Sequence, residues 1–142
     1  AEVLQRFRDT RQLMRNRIGD ANPELKAMLA LCGQRIAATG LYALAQDNNH
    51  PVSEAAGAFA IALLLREDPS GPASALAALV ARLVAADGGF AQVSAGYARL
   101  LLDVLAIAEW LRRRHAAPAF PAPLAERAAA LLPFAPHPAD PD

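Results

Sequence analysis

The sequence predicts an all-α fold, a compact bundle of about five helices followed by a proline-rich C-terminal tail. Three observations predict it. Alanine and leucine dominate a hydrophobic fraction of 54%, and β-branched and aromatic residues are few, a composition that favours helix over sheet. Apolar residues recur at helical spacing through each long segment. Each segment stops at turn chemistry: Gly19-Asp20, Asp47 to Pro51, Asp68 to Pro72, and Asp87 to Gly89.

Taken in order, a first helix is expected over residues 2–18, with Val3, Leu4, Phe7, Met14 and Ile18 on one stripe. Asn22 followed by Pro23 then starts a second helix, as N-cap and first-turn proline. Its inner stripe is expected to be Leu25, Leu29, Cys32 and Ile36. It is apolar on most sides, the pattern of a central helix, and Gly40 is a candidate break. The stretch 47–51 reads as a loop, with Ser53 capping a third helix that runs to about Leu65 and points Phe59 and Leu63 inward. After the turn at 67–72, a fourth helix carries Leu76, Leu79, Val80, Leu83 and Val84. A fifth covers residues 94–115. Seven of the eleven prolines follow, between Pro118 and Pro141. Residues 1–115 are therefore expected to form the helical domain. Residues 116–142 form a mostly flexible extension, with a short helix near Leu124 to Leu132.

Length and charge narrow the function. A chain of 142 residues is one domain by length and can hold a core without staples. Its 14 basic and 14 acidic residues cancel, so net charge alone does not make it a polyanion binder. The single cysteine, Cys32, excludes an internal disulfide. No signal segment is evident at the start and no apolar run reaches the ~18 residues of a membrane span. The expectation is a cytoplasmic protein away from membranes.

Enzyme motifs are missing. His50, His115 and His137 are scattered over loop, helix end and tail, and with one cysteine they offer no zinc pattern. Neither GxxxxGK[ST] nor GxGxxG occurs, so no phosphate cradle of the usual kinds is present. No arginine lies four to six residues before His115, the spacing of helical ribonucleases, and no His-Asp doublet suggests a metal phosphohydrolase. Asp103 and Glu109 pair with Arg99 and Arg113 at i,i+4 spacing, which explains those carboxylates without catalysis. No catalytic residue, cofactor or metal is expected.

Two features remain. RFRDTRQLMRNR (6–17) holds five arginines and one aspartate. On a helix, Arg8, Arg11 and Arg15 group on one flank of the apolar stripe, and Arg6 and Arg17 on the other. Such side chains either snorkel along the core edge or form a phosphate-binding ridge, since the guanidinium fork matches phosphate oxygens. Arg35 and Lys26 at the edges of the second helix are weaker candidates for the same role. In the fifth helix, Val93, Tyr97, Leu100, Leu101, Val104, Ala108 and Leu111 are expected to face inward. Trp110 and Leu102 project away from that stripe among Arg99, Asp103, Arg113 and Arg114. They face either a neighbouring element of the same domain or another protein, in the second case with Trp110 and Leu102 as anchors and Arg99, Glu109 and Arg113 as rim.

The residues of this helix carry a resemblance. YARLLLDVLAIAEWLRRRH (97–115) resembles the C-terminal helix of the small-subunit family of type III-B CRISPR effector complexes. That family tends to end in Tyr, Arg-Leu, an acid, Leu-Ala, Glu-Trp-Leu and a basic pair. Here these are Tyr97, Arg99, Leu100, Asp103, Leu105, Ala106, Glu109, Trp110, Leu111, Arg112 and Arg113 at the same spacing. IAATGLYALA (36–45) is similar to the family's apolar segment around Asn-Gly-Leu. Thr39 stands in place of the asparagine and the preceding Leu-Pro step is absent. Helix count and order agree over residues 1–115, and the tail is not covered. The neutral net charge departs from what a subunit lining an RNA path would ordinarily carry.

The resemblance implies a non-catalytic subunit. Several copies stack along the backbone of the complex and line the path where guide RNA pairs with target RNA. Its partners would be the backbone and large subunits, copies of itself, and both RNAs. Contact would be to phosphates, with base pairing supplying specificity. Three alternatives stay open: the small subunit of a type I CRISPR surveillance complex, a helical adaptor that binds only protein, and an enzyme whose site forms only at an oligomer interface.

Overall fold

The computed structural model describes residues 22–46 and 48–134. The first expected helix, with Arg8, Arg11 and Arg15, lies outside them. The described residues are all-α: α1 (Pro23–Leu44), α2 (Asn49–Leu65), α3 (Ser70–Leu83), α4 (Ala95–Arg114), α5 (Ala122–Leu131) and a closing 3-10 turn (Leu132–Phe134). Among them there is no strand, only one antiparallel bridge between Val84 and Phe90.

The helix starts follow from side-chain chemistry. The Asn22 side chain accepts from the backbone N–H of Glu24 at 3.0 Å and of Leu25 at 3.2 Å, and Pro23 needs no partner for a missing N–H. Asn48, not Ser53, caps α2, accepting from the N–H of His50 at 2.9 Å. His50 and Pro51 thus belong to the first turn of α2 rather than to the loop. A left-handed Arg66 (φ 61°) ends α2, and the N–H of Glu67 reaches back to the Ala62 carbonyl at 2.8 Å. Asp68 accepts from Ser70 N–H, so α3 begins inside the expected turn.

The centre of the bundle is α2. It packs against α1 on one side and against α3 and α4 on the other, and α5 closes over α3. Phe59, Leu76, Leu101, Leu131, Val52, Val80 and Val84 are completely buried, and among the described residues no charged or polar one joins them. Each such side chain stabilises the fold by about 1.5–3 kcal/mol relative to exposure.

Three expectations are corrected. The helix expected to be central, α1, is an outer one among the described residues. It lies on α2 through Leu25, Leu29, Gly33, Ile36, Gly40 and Ala43, while Cys32 is exposed. Its apolar character suggests burial on all sides, but the described residues cover one side alone, and Gly40 does not break it. Gly57 allows the close approach: a Cβ there would stand 3.3 Å from Ile36 Cδ1. By length and composition α1 is also long and apolar enough to cross a membrane, because scattered polar residues do not lower its mean hydropathy of 1.2 enough to exclude that.

Next, the inward face of α4 is Ala98, Leu101, Leu105 and Ala108, turned by roughly 75° from the expected stripe at 100° per residue. Tyr97, Leu100 and Val93 are exposed. Small residues thus face in on α4, and several large ones face out.

Finally, residue 115 is not a boundary. Phe120 packs on Phe59 with ring centroids 4.8 Å apart, and Leu124 and Leu131 are buried in the same core. Apolar anchors between the prolines make residues 116–134 part of the domain, and the short helix expected there is α5.

Candidate interaction surface

Helix α4 divides its circumference three ways. Ser94 caps it through a 3.4 Å bond from Tyr97 N–H, and Arg112, Arg113 and Arg114 fill its last turn, where cations suit the negative end of the helix dipole. One face enters the core. A second borders a groove of about 690 Å³ against α5, and a third faces outward.

The groove is apolar at its floor, with Leu102, Leu105, Phe120 and Leu124, and charged at its rim, with Arg99, Asp103, Glu109 and Arg113. Glu109 organises the rim. Arg112 grips both of its oxygens, Nε to Oε2 at 2.6 Å and Nη2 to Oε1 at 2.8 Å, and Arg113 Nε donates to Oε1 at 2.6 Å. Hydrogen bonds from Arg112, then Arg113, hold the Glu109 carboxyl down to about 2. Arg112 also donates to the Ala117 carbonyl at 2.8 Å, tying the end of α4 to the segment that delivers Phe120. The backbone turns there through a left-handed Ala116 (φ 53°). Arg99 and Asp103 form the other expected pair, at 3.4 Å and well exposed.

The outward face carries Trp110, 59% exposed, and Ile107, 60% exposed, with Tyr97 and Leu100 continuing the strip toward the helix start. Trp110 lies about 160° around the helix from the centre of the buried face. Its one ring partner among the described residues is Arg114, whose guanidinium sits 5.6 Å from the ring centroid.

The expected interface set is therefore split. Leu102, Arg99, Glu109 and Arg113 all border the groove, whereas Trp110 stands about 80° away from Leu102 on the outward strip. Sequence reasoning misses Ile107 and Leu100, which join Trp110, because a stripe drawn through the largest residues assigns Leu100 to the core. It also misses Arg112 as a partner of Glu109, although the i+3 spacing signals one. The expected RNA contacts are not gathered. Arg35 and Lys26 are both exposed on α1 but lie on opposite sides of it, about 13 Å apart along the axis. Thr39, in the weaker of the two resembling segments, lies at the α1–α2 contact with its hydroxyl 3.3 Å from Glu54 Oε1.

Among the described residues no group of three or more His, Cys, Asp or Glu side chains could hold a metal ion. Comparison of the chain with family models, with curated proteins and with solved structures found no match.

Proposed function

We propose that this chain is a non-catalytic helical subunit that works by protein contact through the outward strip of α4. Within that class, we propose the small subunit of a type III CRISPR RNA-guided effector complex acting in the cytoplasm. One observation carries the reading. The residues that resemble the small-subunit family are mostly on the surface: Tyr97, Arg99, Leu100, Asp103, Ala106, Trp110 and Arg113 are all exposed. Internal packing therefore does not account for the pattern. A large aromatic with apolar neighbours, ringed by charge, is the anatomy of a contact centre. Phosphate contact, on this reading, falls to Arg8, Arg11 and Arg15, with Arg35 and Lys26 as minor contributors.

Purification of the tagged chain from its native cells tests the proposal. A ribonucleoprotein holding RNA of fixed length together with repeat-associated subunits is the expected result. Recovery of partner protein without RNA supports the adaptor reading. That second reading has an observation in its favour. Arg99, Arg112 and Arg113 are committed to carboxylates and Arg114 to Trp110, which leaves α4 little cationic surface for phosphate.

A further inference from the structure

We infer that the exposed side of α1 is a self-association surface that takes a second copy of this chain, antiparallel and related by a two-fold axis. The inference concerns a face other than the one on α4 and is independent of the function proposed above.

Two seams run along α1. One rests on α2. The other is Glu24, Met28, Leu31, Arg35, Ala38 and Tyr42, spaced alternately by four and three residues, the repeat of a helix that packs along another helix. Every member of this second seam is exposed, Met28 by 54%, Leu31 by 48% and Tyr42 by 72%. The described residues thus use one seam and leave the other open. Open apolar seams on a helix of 22 residues mark contact surfaces.

The charges choose the occupant and its direction. Only three residues of α1 are charged, Glu24, Lys26 and Arg35, and two of these lie on the open seam with opposite signs. They are eleven residues apart, about 16 Å along the axis, so they cannot pair within one helix. A parallel second copy would set Glu24 against Glu24 and Arg35 against Arg35. An antiparallel copy about an axis between Leu29 and Ala30 sets Glu24 opposite Arg35 twice, with Met28 opposite Leu31 twice between them. Like charges disfavour the first arrangement and opposite charges favour the second. The overlap covers residues 23–36 of each copy, with Ala38 and Tyr42 running past its ends. A two-fold contact of this kind is self-complementary and closes at two copies, unlike a head-to-tail stack.

Sedimentation velocity of the full chain over a concentration series tests this. The expected result is a monomer–dimer equilibrium between about 1 and 100 µM, a range set by the short overlap. Glu24→Arg and Arg35→Glu should each raise the dimer Kd by about tenfold or more, equivalent to about 1.4 kcal/mol, and the double reversal should restore it. If a reversal lowers the helical circular dichroism signal, Arg35→Gln is read instead, and an unchanged Kd for it overturns the proposal. A chain that stays monomeric throughout also overturns it. If such a chain dimerises only after residues 1–21 are removed, the seam belongs to that segment. If the monomer instead binds phosphatidylcholine vesicles, the seam belongs to a membrane surface. A dimer indifferent to both charge reversals pairs through another face.

Discussion

Arg112 grips both carboxylate oxygens of Glu109, at 2.6 and 2.8 Å, while its remaining nitrogen holds the Ala117 carbonyl. This one side chain joins the last turn of α4 to the segment that carries Phe120 into the core. The clamp therefore connects a rim charge of the groove to the packing of α5.

The clamp makes stability depend on acid. Glu109 is held down to about 2 in the folded chain, against 4.5 for the free group, so the unfolded chain binds the proton more readily. Its contribution is fully present above pH 4.5 and is lost as pH falls from there toward 2. For a carboxylate side chain 35% exposed, solvent screening leaves about 1 kcal/mol. Urea midpoints at about pH 6 and about pH 3, on either side of the free group's range, measure it. Glu109→Gln should lower the midpoint at the higher pH and shrink the difference between the two, and an unchanged difference would remove Glu109 from the account.

Gly88 is the position least able to accept a side chain. Its φ is 89°, and an added Cβ would collide with the Ala130 carbonyl oxygen and stand 2.6 Å from Phe134. Gly88→Ala should destabilise the fold by about 3 kcal/mol, through backbone strain and displacement of α5. Thermal melting checks this, and a variant as stable as the parent would mean that the 85–90 turn does not press on α5.

If Arg8, Arg11 and Arg15 bind phosphates, changing all three to glutamate should weaken RNA binding for all sequences alike. The slope of log K against log salt should fall by roughly two units, at about 0.7 for each single-strand phosphate that is no longer neutralised. Filter binding at a series of salt concentrations measures it, and an unchanged slope would leave these arginines only covering the edge of the core.

Local chemistry is legible in the sequence and orientation is not. The Asn22-Pro23 start and the Arg99–Asp103 and Glu109–Arg113 pairs depend only on residues within one turn, so their spacing suffices. The face α4 buries depends on which neighbours flank it. Ala98 and Ala108 are poor hydrophobic markers, yet both are buried. Phe120 lies among prolines with no periodicity around it, so nothing local announces its packing on Phe59. The candidate interaction surface is accordingly half legible. The sequence singles out Trp110 on the side away from the core, but not Ile107 and Leu100 beside it, and the groove that holds the other expected residues needs α5 to exist.

Trp110→Ala distinguishes a tryptophan that faces another protein chain, as proposed above, from one that packs inside its own. A core tryptophan would cost about 3–5 kcal/mol of folding stability when removed, whereas a contact anchor costs about 2 kcal/mol or more of binding. The isolated variant should keep its helical signal and melt within about 2 °C of the parent, as expected for a mostly exposed side chain. Recovery of the partner proteins on the tagged variant should fall by about tenfold or more. A variant that unfolds on its own, or that recovers its partners in full, would mean that Trp110 is not a contact anchor.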